Sequence, residues 1–248
     1  MKAMIFAAGL GTRLRPLTDT VPKALIEVGG VTMLQRVTNR LIASGITEIV
    51  VNVHHHADKV KEYIDSIDCP GVSIKISDES ELLLDTGGGV AKAAGLLGYE
   101  EDILLHNADI YTDIDLRQMM AQHTGSGAEA TLLAGNRNTS RYLLFSPDGR
   151  MTGWRNVTTQ ETRSPYDADT LSSSVQLAFG GIHIISPDIL RLLVEASHDT
   201  PCFSITQFYI SHCARLDIRA FIPAGQYNWI DIGRPQSLEQ ARKIASNI

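Results

Sequence analysis

Residues 4–25 read Met4-Ile5-Phe6-Ala7-Ala8-Gly9-Leu10-Gly11-Thr12-Arg13-Leu14-Arg15-Pro16-Leu17-Thr18-Asp19-Thr20-Val21-Pro22-Lys23-Ala24-Leu25. The apolar run Met4-Ile5-Phe6 has the character of a buried strand. It runs into Gly9 and Gly11, then into the cations Arg13, Arg15 and Lys23, punctuated by Pro16 and Pro22. Glycines let a backbone approach a ligand closely with its N–H groups exposed. Cations just beyond them favour a polyanion, so a strand ending in such a loop handles phosphate. The P-loop pattern is absent. The dinucleotide fingerprint also fails, because Leu14 stands where a third glycine or alanine would be needed. Pro16 and Pro22 prevent a long helix from starting at Gly11. A loop folded over a triphosphate fits these residues better.

Working outward, β-like and helix-like patterns alternate. Strands are expected at 2–8, 48–53, 72–76, 102–106 and 130–134. Helices are expected at 33–42, 58–67, 89–97 and 116–123, the third opened by Gly87-Gly88-Gly89. Such alternation predicts an α/β fold with a mostly parallel central sheet. Pro147-Asp148-Gly149 marks a turn between strands at 142–145 and 151–154. Residues 158–174 are polar and aperiodic and read as a loop. A long strand at 175–185, helices at 187–195, 205–214 and 235–245, and a strand at 218–221 complete the chain. No repeat or linker divides it, so one domain over 1–248 is expected.

Composition narrows the function. The chain has 248 residues, 44% of them hydrophobic, and a formal charge of −6. An acidic chain is a poor nucleic-acid binder, so any phosphate site is a local cationic patch. Cys69, Cys202 and Cys213 lack zinc or disulfide spacing, and a reducing cytoplasm is the simplest setting. No apolar run approaches the ~20 residues that span a membrane.

The pattern Gly9, Gly11-Thr12-Arg13, Pro16, Thr18, Pro22-Lys23 resembles the signature of the sugar-1-phosphate nucleotidyltransferases, also called nucleotide-diphosphosugar pyrophosphorylases. The likeness extends through Asn107-Ala108-Asp109, Phe179-Gly180-Gly181 and Trp229-Ile230-Asp231-Ile232-Gly233. It implies a single-domain, Rossmann-like fold of the GT-A type, without the C-terminal β-helix that some relatives carry. It also implies an NTP and a sugar 1-phosphate as substrates, joined to an NDP-sugar with release of pyrophosphate. Arg13 and Lys23 become the candidate catalytic cations. Ala7, Ala8, Gly9, Gly11, Thr12, Thr86, Gly87 and Gly88 become nucleotide-binding candidates, and Asn107 and Gly181 sugar-binding ones. Asp109 and Asp231 become ligands of Mg²⁺, an ion usually held by one or two carboxylates plus substrate phosphates.

The run Asp85-Thr86-Gly87-Gly88-Gly89 is similar to that of the N-acetylmuramate-1-phosphate uridylyltransferase branch, so UTP is the expected nucleotide. A GTP-using mannose- or heptose-1-phosphate enzyme is the alternative, and a non-catalytic nucleotide-sugar sensor is the alternative of another class. The Glu-Lys-Pro segment by which many relatives hold the sugar is missing, and Glu161 is only a loose substitute. His54-His55-His56 with Asp58 lacks ligand spacing and reads as pocket rim or surface.

Overall fold

The computed structural model describes residues 1–246; the last two positions of the expected 1–248 unit lie outside them. Strands Ser73–Asp78, Glu48–Val53, Lys2–Phe6 and Ile103–Asn107 lie side by side and parallel. The α/β reading is met in this parallel heart of the sheet, and an antiparallel flank extends it. The long strand Val175–Ile185 pairs with Ile103–Asn107 along one half and with Arg141–Phe145 along the other. Between the halves, its register against Ala130–Gly135 slips from Phe179 to His183, which places Gly180 and Gly181 in a bulge.

Alternation along the strands sends successive side chains to opposite faces. Met4 joins one apolar cluster with Val90, Leu97, Leu190 and Phe208, while Ala3 and Ile5 join another with Leu34, Val60 and Met119. Helices cover both faces accordingly. Fully burying such side chains stabilises by roughly 1.5–3 kcal/mol each. A third cluster matters most for function. Leu14, Ile26, Val28 and Met33 pack on Tyr111, Ile230, Ile232, Leu238 and Ala241, so the phosphate-type loop is seated on the C-terminal helix Pro235–Ala245. Among the described residues no helix is long and apolar enough to cross a membrane.

Three expectations need correction. Helix Asp85–Leu97 begins four residues early, so its glycines lie in its first turns rather than before it. The 158–174 stretch is built, with strand Glu161–Arg163 on Met151–Asn156 and helix Ala168–Ser172 capped by Asp167 Oδ1 accepting from Thr170 N at 2.9 Å. The first strand stops at Phe6. Ala7 N turns aside to donate to Asn52 Oδ1 at 2.8 Å.

Candidate active site

The loop after the first strand is folded on itself. Gly11 has φ +65°, and a Cβ there would press on Thr18. Thr18 Oγ1 donates to the Gly11 carbonyl at 2.8 Å. Three short 3₁₀ turns, Thr12–Leu14, Leu17–Asp19 and Lys23–Leu25, replace the helix that the two prolines forbid. Leu14 is sunk in the third cluster, so its neighbour Arg13 faces outward, and Lys23 returns to the same place.

The two candidate carboxylates come from distant segments joined by one small ladder. Strands Ile110–Thr112 and Trp229–Asp231 run antiparallel with Asp231 opposite Ile110, and Ile232 N donates to the Asp109 carbonyl at 3.0 Å. Asp109 therefore lies beside Asp231. Lys23 Nζ donates to Asp109 Oδ2 and stands 3.8 Å from Asp231 Oδ1, while Arg13 Nη2 stands 3.7 Å from Asp231 Oδ2. Gly233 completes the group: a Cβ there would lie 2.7 Å from Arg13 Nη2 and 3.0 Å from Lys23 Nζ, so a larger residue would displace the ends of these side chains. The cations differ in freedom. The Lys23 side chain is 11% exposed and acts as floor, while Arg13 is 55% exposed and can swing onto a ligand.

A cavity of about 570 Å³ opens on one side of this group. Its wall includes Ala7 to Thr12, Asp85, Thr86, Asn107 and Asp109. Most nucleotide-binding candidates thus meet on one surface. Gly87 and Gly88 do not line it. Their N–H groups are not free for a ligand, because both donate to the Phe203 carbonyl, at 2.8 and 3.3 Å. Segment 201–203 lies over the helix start, and a Cβ at either glycine would collide with Phe203 or Pro201.

Asn52 and Glu79 also form this wall and were not foreseen. Asn52 accepts from Ala7 N and donates to Glu79 Oε1 at 2.7 Å, and Glu79 Oε2 accepts from Leu84 N at 3.3 Å. Glu79 is fully buried, and burial raises its carboxyl pKa against the pull of those hydrogen bonds. One polar residue within the buried run Ile49-Val50-Val51-Asn52-Val53 was the available signal.

A second cavity of about 860 Å³ opens on the other side, and Arg13 borders both. Trp154, Phe179 and Trp229 give it aromatic surface, and Arg137, Arg141 and Arg234 line it. Arg137 stacks 3.7 Å over the Trp229 ring and donates to the Ala178 and Phe179 carbonyls. Trp229 Nε1 donates to the Gly180 carbonyl at 2.9 Å, which fixes the indole against the bulge. Gly181 has φ +71°, and the Asn107 amide fills the space where a Cβ would stand. Those two sugar candidates are adjacent, but only Asn107 reaches a cavity wall. Glu161 borders neither cavity and pairs with Arg163 at 2.7 Å. The histidine triplet lies behind the wall of the smaller cavity, with His54 Nδ1 2.6 Å from the Glu79 carbonyl oxygen.

A phosphate-type loop, two carboxylates around a lysine, and a cavity on either side define a phosphoryl-group transferase on an α/β sheet. The chain belongs to the nucleotidyl transferase family, whose model matches residues 2–247, and it is a sugar-1-phosphate nucleotidyltransferase. It is 30% identical to an N-acetylmuramate alpha-1-phosphate uridylyltransferase of Caulobacter vibrioides, over 95% of this chain and 93% of that one. It is 28% identical to a mannose-1-phosphate guanyltransferase of Aspergillus fumigatus, over 95% of this chain and 62% of that one. The fold superposes on a putative glucose-1-phosphate thymidylyltransferase from Bacillus anthracis with a TM-score of 0.83 at 20% identity, covering 100% of this chain and 96% of that one.

Proposed function

We propose that the chain joins UTP to N-acetylmuramate 1-phosphate or a closely related sugar 1-phosphate, giving the UDP-sugar and pyrophosphate. The observation that carries the reaction is the position of Arg13 at the junction of two cavities, beside Lys23, Asp109 and Asp231. A triphosphate entering from one side and a sugar phosphate from the other meet there. The uridylyltransferase relative supports the substrate pair, since the likeness spans nearly all of both chains. The fungal relative supports GTP with mannose 1-phosphate as the second reading.

An oxygen of the sugar phosphate attacks the α-phosphorus, a new P–O bond forms, and the bond to the β-phosphate oxygen breaks as pyrophosphate leaves. A sugar 1-phosphate is largely dianionic near pH 7, so the attack needs no general base. The barrier is charge repulsion and alignment. Arg13 can take the β,γ-phosphates with its planar fork, and Lys23 places a point charge by the α-phosphate. Asp109 and Asp231 would hold magnesium. The fit rests on their convergence on one cation, the Lys23 ammonium, and on a donor set of two carboxylates that leaves positions for phosphate oxygens. When bound, that ion supplies charge neutralisation at those oxygens.

Pyrophosphate release over a matrix of four NTPs and a panel of sugar 1-phosphates tests the proposal. A preference for UTP of at least ~10²-fold in kcat/KM is expected, because a site that hydrogen-bonds one base edge leaves groups unpaired with another. A preference for GTP would move the assignment to the second reading.

A further inference from the structure

The larger cavity carries more positive charge than a sugar 1-phosphate requires. Its wall holds Arg13, Arg137, Arg141 and Arg234 against the single carboxylate Asp231, on a chain whose formal charge is −6. Arg13 is engaged with Asp231, and Arg137 with Trp229 and two backbone carbonyls. Among the described residues Arg141 and Arg234 have no ion-pair partner. Outside this cavity and among the described residues, Arg15, Arg150, Arg163, Arg191 and Arg219 have carboxylate partners, and Arg36, Arg40, Arg117, Arg155 and Arg242 have none but donate to backbone carbonyls or a hydroxyl; Arg215 stands without either.

The two free guanidinium groups stand on different walls. Arg234 follows Gly233, the residue wedged against Arg13 and Lys23, so it belongs to the phosphate end. Arg141 opens strand Arg141–Phe145 opposite Asn156, on the hairpin that also carries Trp154. The loop presenting it is tied down. Thr139 N donates to Tyr142 Oη at 3.2 Å, Arg141 N to Thr139 Oγ1 at 3.3 Å, and Val157 N to the Ser140 carbonyl at 2.9 Å. A cation held on a fixed loop beside apolar aromatic wall is placed for a planar anion, which a guanidinium binds in bidentate fashion.

Resting on the nucleotidyl-transfer reading with a carboxylated sugar 1-phosphate, we infer that Arg141 is the residue that selects the sugar's carboxylate. Arg234 serves the 1-phosphate that every substrate has. This division gives the pocket a charged recognition element in place of the missing Glu-Lys-Pro segment.

The test compares two sugar 1-phosphates that differ only in a lactyl ether, which carries the carboxylate: N-acetylmuramate 1-phosphate with it and N-acetylglucosamine 1-phosphate without it. Each is assayed with the same NTP. Wild type is expected to favour the carboxylated sugar. Arg141→Gln is expected to lower the ratio of the two kcat/KM values about 10- to 100-fold, the yield of one charge-assisted hydrogen bond, chiefly through the KM of the carboxylated substrate. Arg141→Lys is expected to restore part of the ratio, because it keeps the charge and loses the fork. Arg234→Gln is expected to depress both substrates together. A wild type that favours the neutral sugar, or a ratio unmoved in Arg141→Gln, would overturn the role of Arg141 and leave nucleotidyl transfer standing. Absence of turnover with every sugar 1-phosphate and NTP would remove that reading and the inference with it.

Discussion

Asp109 and Asp231 share one counter-charge: Lys23 Nζ donates to the first and stands 3.8 Å from the second. The ladder that sets Asp231 opposite Ile110 brings the carboxylates together, and the turn that returns Lys23 to this place makes their proximity tolerable.

Removing either cation should therefore act on chemistry before it acts on folding. Arg13→Ala and Lys23→Ala are each expected to lower kcat by about 10²–10³, the typical loss for one preorganised charged contact. Arg13→Ala should leave the melting temperature almost unchanged, since its side chain is 55% exposed. Lys23→Ala should lower it, because two carboxylates are left facing each other. Near-normal turnover in a folded variant would exclude that residue from the reaction.

Asp109→Asn and Asp231→Asn preserve shape and remove charge. Each is expected to raise the Mg²⁺ concentration needed for half-maximal rate and to reduce the limiting rate. Titration of activity with Mg²⁺ at fixed NTP checks both effects, and an unaltered metal dependence in both variants would break the assignment.

Asn52 links the loop backbone at Ala7 to the buried carboxyl of Glu79. Asn52→Leu would strand Ala7 N and Glu79 Oε1, at roughly 1–3 kcal/mol for each unsatisfied buried group. The expected outcome is a loss of about 2–6 kcal/mol of stability, together with a raised KM for the NTP and a smaller change in KM for the sugar phosphate. Denaturant unfolding and two-substrate kinetics measure the two parts separately.

His106 and His183 are buried in the centre of the sheet, and His183 Nδ1 lies 2.7 Å from Tyr209 Oη. Burial lowers their pKa values from 6.5 to about 4 and about 3. In the unfolded chain both titrate near 6.5, so from that pH downwards the unfolded state binds protons that the folded state refuses. Each histidine then removes about 1.4 kcal/mol of stability per pH unit, down to its own folded pKa. Urea unfolding at pH 7 and pH 5 should differ by roughly 4 kcal/mol from these two residues. A midpoint flat across that interval would contradict their being buried and neutral.

Much of the site was legible because its residues carry strong local constraints. Gly11, Arg13, Pro22 and Lys23 lie within one loop, and Asp109 follows a strand whose apolar run is unmistakable. Asn52 and Glu79 were not found, because they serve a wall assembled from strands far apart in the chain, and neither has a neighbour in sequence that shares its task. The hairpin Glu27–Val28 and Val31–Thr32 was missed although Gly29-Gly30, at φ +59° and +72°, is a turn signal in its own right. The 158–174 stretch shows no periodicity because its two elements, Glu161–Arg163 and Ala168–Ser172, are too short to give one. The cap of Asp167 on Thr170 was the only cue.

The clasp of Phe203 on Gly87 and Gly88 changes how mutational data on this enzyme should be read. Both positions flank the smaller cavity without lining it, yet neither can accept a methyl group while Pro201 and Phe203 stay in place. An activity screen would flag them as strongly as residues that hold the base. Their sensitivity would instead report the seating of the 201–203 strap, and it should soften when the strap is loosened, as by Phe203→Ala on a Gly87→Ala background, a rescue that no true ligand contact would show.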